Sequence, residues 1–468
     1  MRRESRRMAF IITSVLGGLL LGGCKADTSQ SENPYFRMAD RVTADMFTAD
    51  AWVKPTEKIT LTEAEIKAFN EKNKDMITLS EEESTSLGEL GDKLTSEVVR
   101  CTLTELANDV EGKEGYLNGR AVDSDYWQEQ ISNADIDGVP EELRIRYGFS
   151  VSRSTLRALP CADFIGETAE DLFYDEMLTS ECLPFQPLVI AHESVDRAWY
   201  FVYMYGFSGW VQKENVAVCP SREDWEARQE PEEFLIVTGR EMRLNTDRGS
   251  SALSDLLLPM GTKLTIVKTD DAPESIHGRY NYGNYIVRLP VRGAGGEITD
   301  DYALIPVTSD VTFGYLPYNN SKVIELAMKR LGDRYGWGGL DNSQDCSGMI
   351  REIYSCFGIF LPRSSGEQAN ISGVERHDLS NLDNDAKLVL LKKLPAGTLL
   401  YFPGHIMLYL GMKDNRPYAI SAVGSFAPEG MASGTAQSIN TVVINDLYIH
   451  RRNGKSWIES ITAATVIR

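Results

Sequence analysis

The sequence predicts a multidomain α+β chain: a helical region near the N-terminus, two small β-barrels in succession, and a C-terminal domain pairing a helix-borne cysteine with a sheet-borne histidine. Three observations lead there. A chain of 468 residues is longer than one hydrophobic core usually organises, at about 150 residues per domain. Between Arg144 and Pro306, short β-rich runs alternate with Gly, Pro and charged turns. Beyond Ser321, helical spacing of apolar residues returns around Cys346 and then gives way to strands around His405.

At the start of the chain, arginines at 2, 3, 6 and 7 precede an apolar run from Met8 to Leu21, and Leu21-Gly22-Gly23-Cys24 closes it. The run is too short for a comfortable bilayer span, and small residues before a cysteine suit lipoprotein processing. Residues 1–24 therefore read as a secretory signal ending in a lipobox, with Cys24 lipidated and Lys25 to Asn33 a polar tether. The expectation is an exported lipoprotein, periplasmic or elsewhere in the cell envelope, anchored to a membrane.

Acidic residues outnumber basic ones 68 to 48, a net charge of −20, which disfavours contact with a phosphate backbone and argues against a nucleic-acid partner. Five cysteines remain beside Cys24 and Cys346: Cys101, Cys161, Cys182, Cys219 and Cys356. An oxidising compartment would permit a pair such as Cys161 with Cys182, but spacing does not decide connectivity. Neither a Cys-x-x-Cys pair nor histidines at ligand spacing occur, so no metal site and no cofactor are expected.

Residues 25–143 are polar and helix-prone, with Thr62 to Glu65 and Ser80 to Glu83 matching capping boxes. They read as a helical accessory domain. Residues 144–220 and 234–310 each repeat a pattern of short strands. In the first, Trp199-Tyr-Phe-Val202 is followed by Gly209-Trp-Val211, and Pro220 to Glu233 reads as a linker. Residues 317–468 form the last domain, opening on an amphipathic helix from Ser321 to Leu331 that Gly332 ends.

Within that domain, Asp345-Cys-Ser-Gly348 opens a helical pattern at Met349, Ile350, Ile353, Tyr354 and Phe357, which Gly358 stops. Cys346 falls in the first helical turn, where unpaired N–H groups and the macrodipole favour a thiolate. Of five histidines, His405 begins a strand after the Pro403-Gly404 turn. A helix-borne thiol followed by a sheet-borne imidazole is the order of papain-like catalysis.

Arg334-Tyr-Gly-Trp-Gly-Gly339, Asp345-Cys-Ser-Gly348, Leu361-Pro-Arg-Ser-Ser365 with Gln368, and Gly404-His-Ile-Met-Leu-Tyr-Leu-Gly411 together resemble the NlpC-type cysteine peptidases of bacterial cell walls. The preceding region resembles the branch of that family with two N-terminal SH3-like β-barrels. The resemblance implies a papain-like NlpC catalytic domain that cleaves the γ-D-glutamyl to diamino acid bond of peptidoglycan stem peptides. It further implies Cys346 as nucleophile, His405 as base, and a third residue on the following strand, where Ser421 stands in place of the usual His, Asn or Gln. Asp345, Ser347 and Ser365 match the family's positions that hold a free L-alanine amine, although Asp345 also reads as a helix N-cap. Tyr205 of the first barrel is the expected aromatic wall, and Trp337 either lines the groove or packs its turn. Alternatives are a thiol amidase or acyltransferase on the same fold, and a peptide-binding lipoprotein with weak or no catalysis.

Overall fold

The computed structural model describes residues 36–468 apart from 57, 81, 432 and 433, and Met38–Arg468 form one compact unit. The signal and lipobox, Cys24 included, lie outside the described residues. The molecule is a mixed helix and strand multidomain protein with an SH3-like region and a C-terminal α+β domain.

The last domain is centred on a six-stranded antiparallel sheet in the order Glu375–Asp378, Ala463–Val466, Leu399–Phe402, His405–Lys413, Arg416–Phe426, Gln437–Asp446. Leu399–Phe402 and Ala463–Val466 are buried on both faces, as their continuous apolar character requires. Helix Cys346–Ser355 lies across the sheet, burying Met349, Ile350, Ile353 and Tyr354. The amphipathic segment before it forms helix Asn320–Met328, capped by the Asn319 side chain.

The first barrel is a seven-stranded antiparallel sheet in the order Val216–Val218, Arg146–Ser150, Pro187–Glu193, Trp199–Met204, Phe207–Gln212, Ser154–Arg157, Leu178–Cys182. Trp210 stands opposite both Phe201 and Arg157 in register, and it is fully buried. A second β unit has five antiparallel strands in the order Ile298–Pro306, Asn284–Arg292, Lys263–Val267, Phe234–Val237, Val311–Phe313.

Several local readings need correction. Among the described residues the N-terminal helices build no separate core: Ile66 and Phe69 join the C-terminal domain's core, while Leu90, Val99, Leu103 and Trp127 join that of the first barrel. Their apolar stripes are too narrow to close on one another and pair with larger neighbours instead. The capping box at Thr62 and Glu65 is present, but Ser80 and Glu83 belong to a hairpin, Ile77–Ser80 with Glu83–Thr85. The expected linker at Pro220 to Glu233 contains helix Arg222–Gln229, capped by Ser221 and pinned by buried Trp225, whose indole donates to the Gly148 carbonyl at 3.1 Å. The six described cysteines, Cys161 and Cys182 included, are all unbonded.

Candidate active site

Cys346 is the first residue of its helix, so its backbone N–H has no acceptor within the helix. The Asp345 side chain caps the helix, accepting from Gly348 N–H at 2.8 Å. The Cys346 sulfur receives the backbone N–H of Ile406. Since Ile406 follows His405, helix start and strand start meet at one point. His405 Nε2 lies 3.1 Å from Ser421 Oγ, so Nδ1 is the ring nitrogen that this bond leaves free. The imidazole is held between Phe402 and Trp457, with ring centroids 5.1 and 5.0 Å away.

Ser421 reaches the imidazole through sheet register. Leu408 pairs with Ile420 on the adjoining strands, which puts His405 and Ser421 on one face in diagonal positions, within side-chain reach. Ser421 is fully buried.

Burial pushes the Cys346 thiol up to about 12, and the Asp345 carboxylate adds to the rise. Burial likewise pushes His405 down to about 3, helped by the charge of Arg451 and opposed by Asp345. Both groups are therefore driven toward their uncharged forms. The expectation of a preformed thiolate is corrected here: at the buried Cys346 sulfur, desolvation and the Asp345 charge outweigh the helix terminus. Tyr335, 7 % exposed, feels the charges of Cys346 and Asp345, which brings a phenolic O–H to the same cleft.

Asp345, Ser347 and Ser365 differ in what they leave free. Asp345 accepts from Gly348 N–H, Ser347 Oγ at 3.1 Å, Gly338 N–H at 3.1 Å, and both Nη atoms of Arg363 at 2.9 and 2.6 Å. Five donors fill what a carboxylate accepts, and Arg363 leads the influences that hold its pKa down against burial. An ammonium at Asp345 would have to displace one of these bonds. Ser347 is committed to Asp345 and Arg363. Ser365 begins a short helix capped by Ser364, and its hydroxyl has no hydrogen bond among the described residues.

Tyr205 lies near the segment that carries Ser365, feeling the charge of Glu367. Its hydroxyl donates to the Asn73 carbonyl, fastening the barrel to the N-terminal segment. The barrel residue that meets the cleft's aromatic turn is Tyr174, with ring centroids 5.9 Å from Trp337 and 6.4 Å from Tyr335. Trp337 is 44 % exposed, so it lines the surface rather than packing inside its turn. Nothing in the local sequence singled out Tyr174, because it lies in an irregular loop between strands. His450 pairs through its backbone with Ala427 and its ring lies 3.3 Å from the Pro428 carbonyl.

A thiol at a helix start, an imidazole at a strand start and a hydroxyl on the next strand are the residue types, in the order, that papain-type thiol hydrolases use. Residues 332–466 match the NlpC/P60 family and residues 166–212 the SH3 domain of SH3b1 type; the chain thus carries an NlpC/P60 domain, of a family of cysteine peptidases and hydrolases, behind an SH3b domain. Among solved structures, an NlpC/P60 endopeptidase from Photobacterium damselae subsp. piscicida superposes with a TM-score of 0.71 at 17% identity, covering 92% of this chain and 98% of that one. An NlpC/P60 family protein from Bacillus cereus ATCC 10987 gives a TM-score of 0.44 at 19% identity, covering 68% and 98%. No curated protein matches the chain.

Proposed function

We propose that the protein is a lipid-anchored cysteine endopeptidase of the cell envelope that hydrolyses the γ-D-glutamyl to diamino acid bond of peptidoglycan stem peptides, in wall turnover or recycling. The observation that carries the reading is the Ile406 N–H on the Cys346 sulfur beside an imidazole already held by Ser421. His405 takes the thiol proton as sulfur attacks the peptide carbonyl, forming a thioester and passing that proton to the departing amine. Water then attacks the thioester, His405 again accepting a proton, and the thiol is regenerated. The Cys346 N–H and the Tyr335 hydroxyl are the donors for the oxyanion.

Because both groups rest uncharged, proton transfer accompanies attack instead of preceding it. In the same reading the free L-alanine amine meets the uncommitted Ser365 hydroxyl first, and reaches Asp345 by displacing one of the hydrogen bonds that carboxylate already accepts. Lipidation at Cys24 is part of the same reading and rests on the sequence pattern.

Purified protein incubated with L-Ala-γ-D-Glu-diaminopimelate should release L-Ala-γ-D-Glu, and Cys346→Ala should release none, by mass analysis of products. Equal product from both, or none from either, would end the assignment. An N-acetylated peptide cleaved as fast as the free amine would remove the amine-binding role alone.

A further inference from the structure

The turn that delivers Cys346 to its place is left-handed at four residues. Gly338, Gly339, Asp341 and Asn342 have φ of 57, 94, 55 and 56°. Two of these carry a Cβ and adopt a conformation such residues rarely hold unaided. The groups that hold it come from another domain. Arg153 of the first barrel donates from Nη1 to the Asn342 carbonyl at 2.9 Å and from Nη2 to the Ser343 carbonyl. Its Nε donates to Glu181, also of the barrel, at 2.8 Å.

Glu181 touches the same region from the other side. Its Oε1 lies 3.9 Å from Nη2 of Arg363, the guanidinium that grips Asp345. A Cβ at Gly339 would run into the Glu181 carboxylate, and one at Gly338 would meet Leu178 at 2.9 Å. Arg153 Nη2 further lies 3.7 Å from Glu352 on the nucleophile helix. The Arg153 and Glu181 side chains are only 4% and 2% exposed, so these contacts are neither screened nor interchangeable with water.

A tethered binding module has no need to bury a forked guanidinium on the backbone carbonyls of its neighbour's catalytic turn. We infer that Arg153 and Glu181 are positioning residues for Cys346: together they set the turn before the nucleophile and the Asp345–Arg363 pair that caps its helix. Neither touches the reacting atoms. The first barrel is thereby a working part of the hydrolase. This rests on Cys346 being the nucleophile, as proposed above.

The test uses the full chain and a readout that needs no wall peptide, the rate at which iodoacetamide alkylates Cys346 per folded molecule, beside kcat and KM on the stem tripeptide. Arg153→Met/Glu181→Gln removes both charges together: Arg363 keeps Asp345 and Glu352 keeps Arg330, while buried Arg351, which also feels Glu181, keeps the charge of Glu352. It should fold, alkylate at least tenfold more slowly, approaching the rate of His405→Ala, and lose kcat about 100-fold with KM within twofold, because a misplacement near 1 Å is enough for that. Arg153→Lys keeps the charge but cannot fork between Glu181 and two carbonyls, so it should not recover the rate. A folded double variant that alkylates and turns over like the wild type overturns the inference. So does an activity loss that only tracks the folded fraction. If the wild type cleaves no stem peptide yet its alkylation still depends on Arg153, the positioning role stands and the proposed substrate falls.

Discussion

His405 Nε2 and Ser421 Oγ lie 3.1 Å apart across neighbouring strands, and this bond engages one of the two imidazole nitrogens. A hydroxyl both donates and accepts, so it holds the ring without imposing one tautomer as a carboxylate or amide would.

Ser421→Ala should lower kcat/KM by roughly tenfold, the worth of one neutral hydrogen bond of about 1.4 kcal/mol, with KM almost unchanged. Ser421→Asn should match or exceed the wild type, since an amide oxygen fixes the N–H on Nε2. Steady-state kinetics on the tripeptide measures both. A Ser421→Ala enzyme at full speed would show that packing by Phe402 and Trp457 orients the ring alone.

The pH dependence follows from two shifts. The thiol rests near 12, so alkylation of the free enzyme should keep rising with pH above 8. A plateau reached below pH 7 would reveal a preformed thiolate and contradict the uncharged resting pair. For His405 the folded value is about 3 against roughly 6.5 unfolded. The unfolded state binds the extra proton between those values, so the stability this group contributes is complete above about pH 6.5 and is lost as pH falls toward 3.

Arg451 stacks on Phe402 with its guanidinium carbon 4.4 Å from the ring centroid, and its charge helps hold His405 down. Arg451→Gln should therefore move the acid limb of kcat/KM to higher pH. A profile that does not move would mean that burial alone sets the imidazole.

Tyr174→Ala should raise KM about three- to tenfold, because an aromatic pair is worth roughly 0.5–1.5 kcal/mol, and leave kcat within twofold. An unchanged KM would place the substrate away from the Trp337 wall.

Gly339→Ala combines a left-handed backbone with a Cβ against Glu181. It should destabilise the protein by about 2–4 kcal/mol and lower the denaturation midpoint. Gly366→Ala, at a position with open space around it, is the control expected to stay near the wild type.

What was legible in the sequence was whatever a local rule governs. The Cys346 helix shows in its apolar spacing and in the cap at Asp345, and the turn at Pro403 and Gly404 marks the strand that begins with His405. The same rules failed where a short stretch suits two structures. Ser80 to Glu83 satisfies a capping-box pattern but lies in a hairpin, and the charged run after Pro220 hides a helix whose one apolar anchor, Trp225, has its partner Gly148 far back in the chain.

By itself the sequence determined the helix that begins at Cys346, the strand that begins at His405 and the order of the two, because each follows from apolar spacing along a helix or from a turn ahead of a strand. Only the tertiary structure decided the rest: that burial drives the thiol and the imidazole toward their uncharged forms, that Tyr174 meets Trp337, and that Arg153 and Glu181 reach the turn before Cys346. Desolvation and cross-domain contact depend on which surfaces meet, and residues 190 positions apart, such as Arg153 and Ser343, carry no mark of that meeting in their own neighbourhoods.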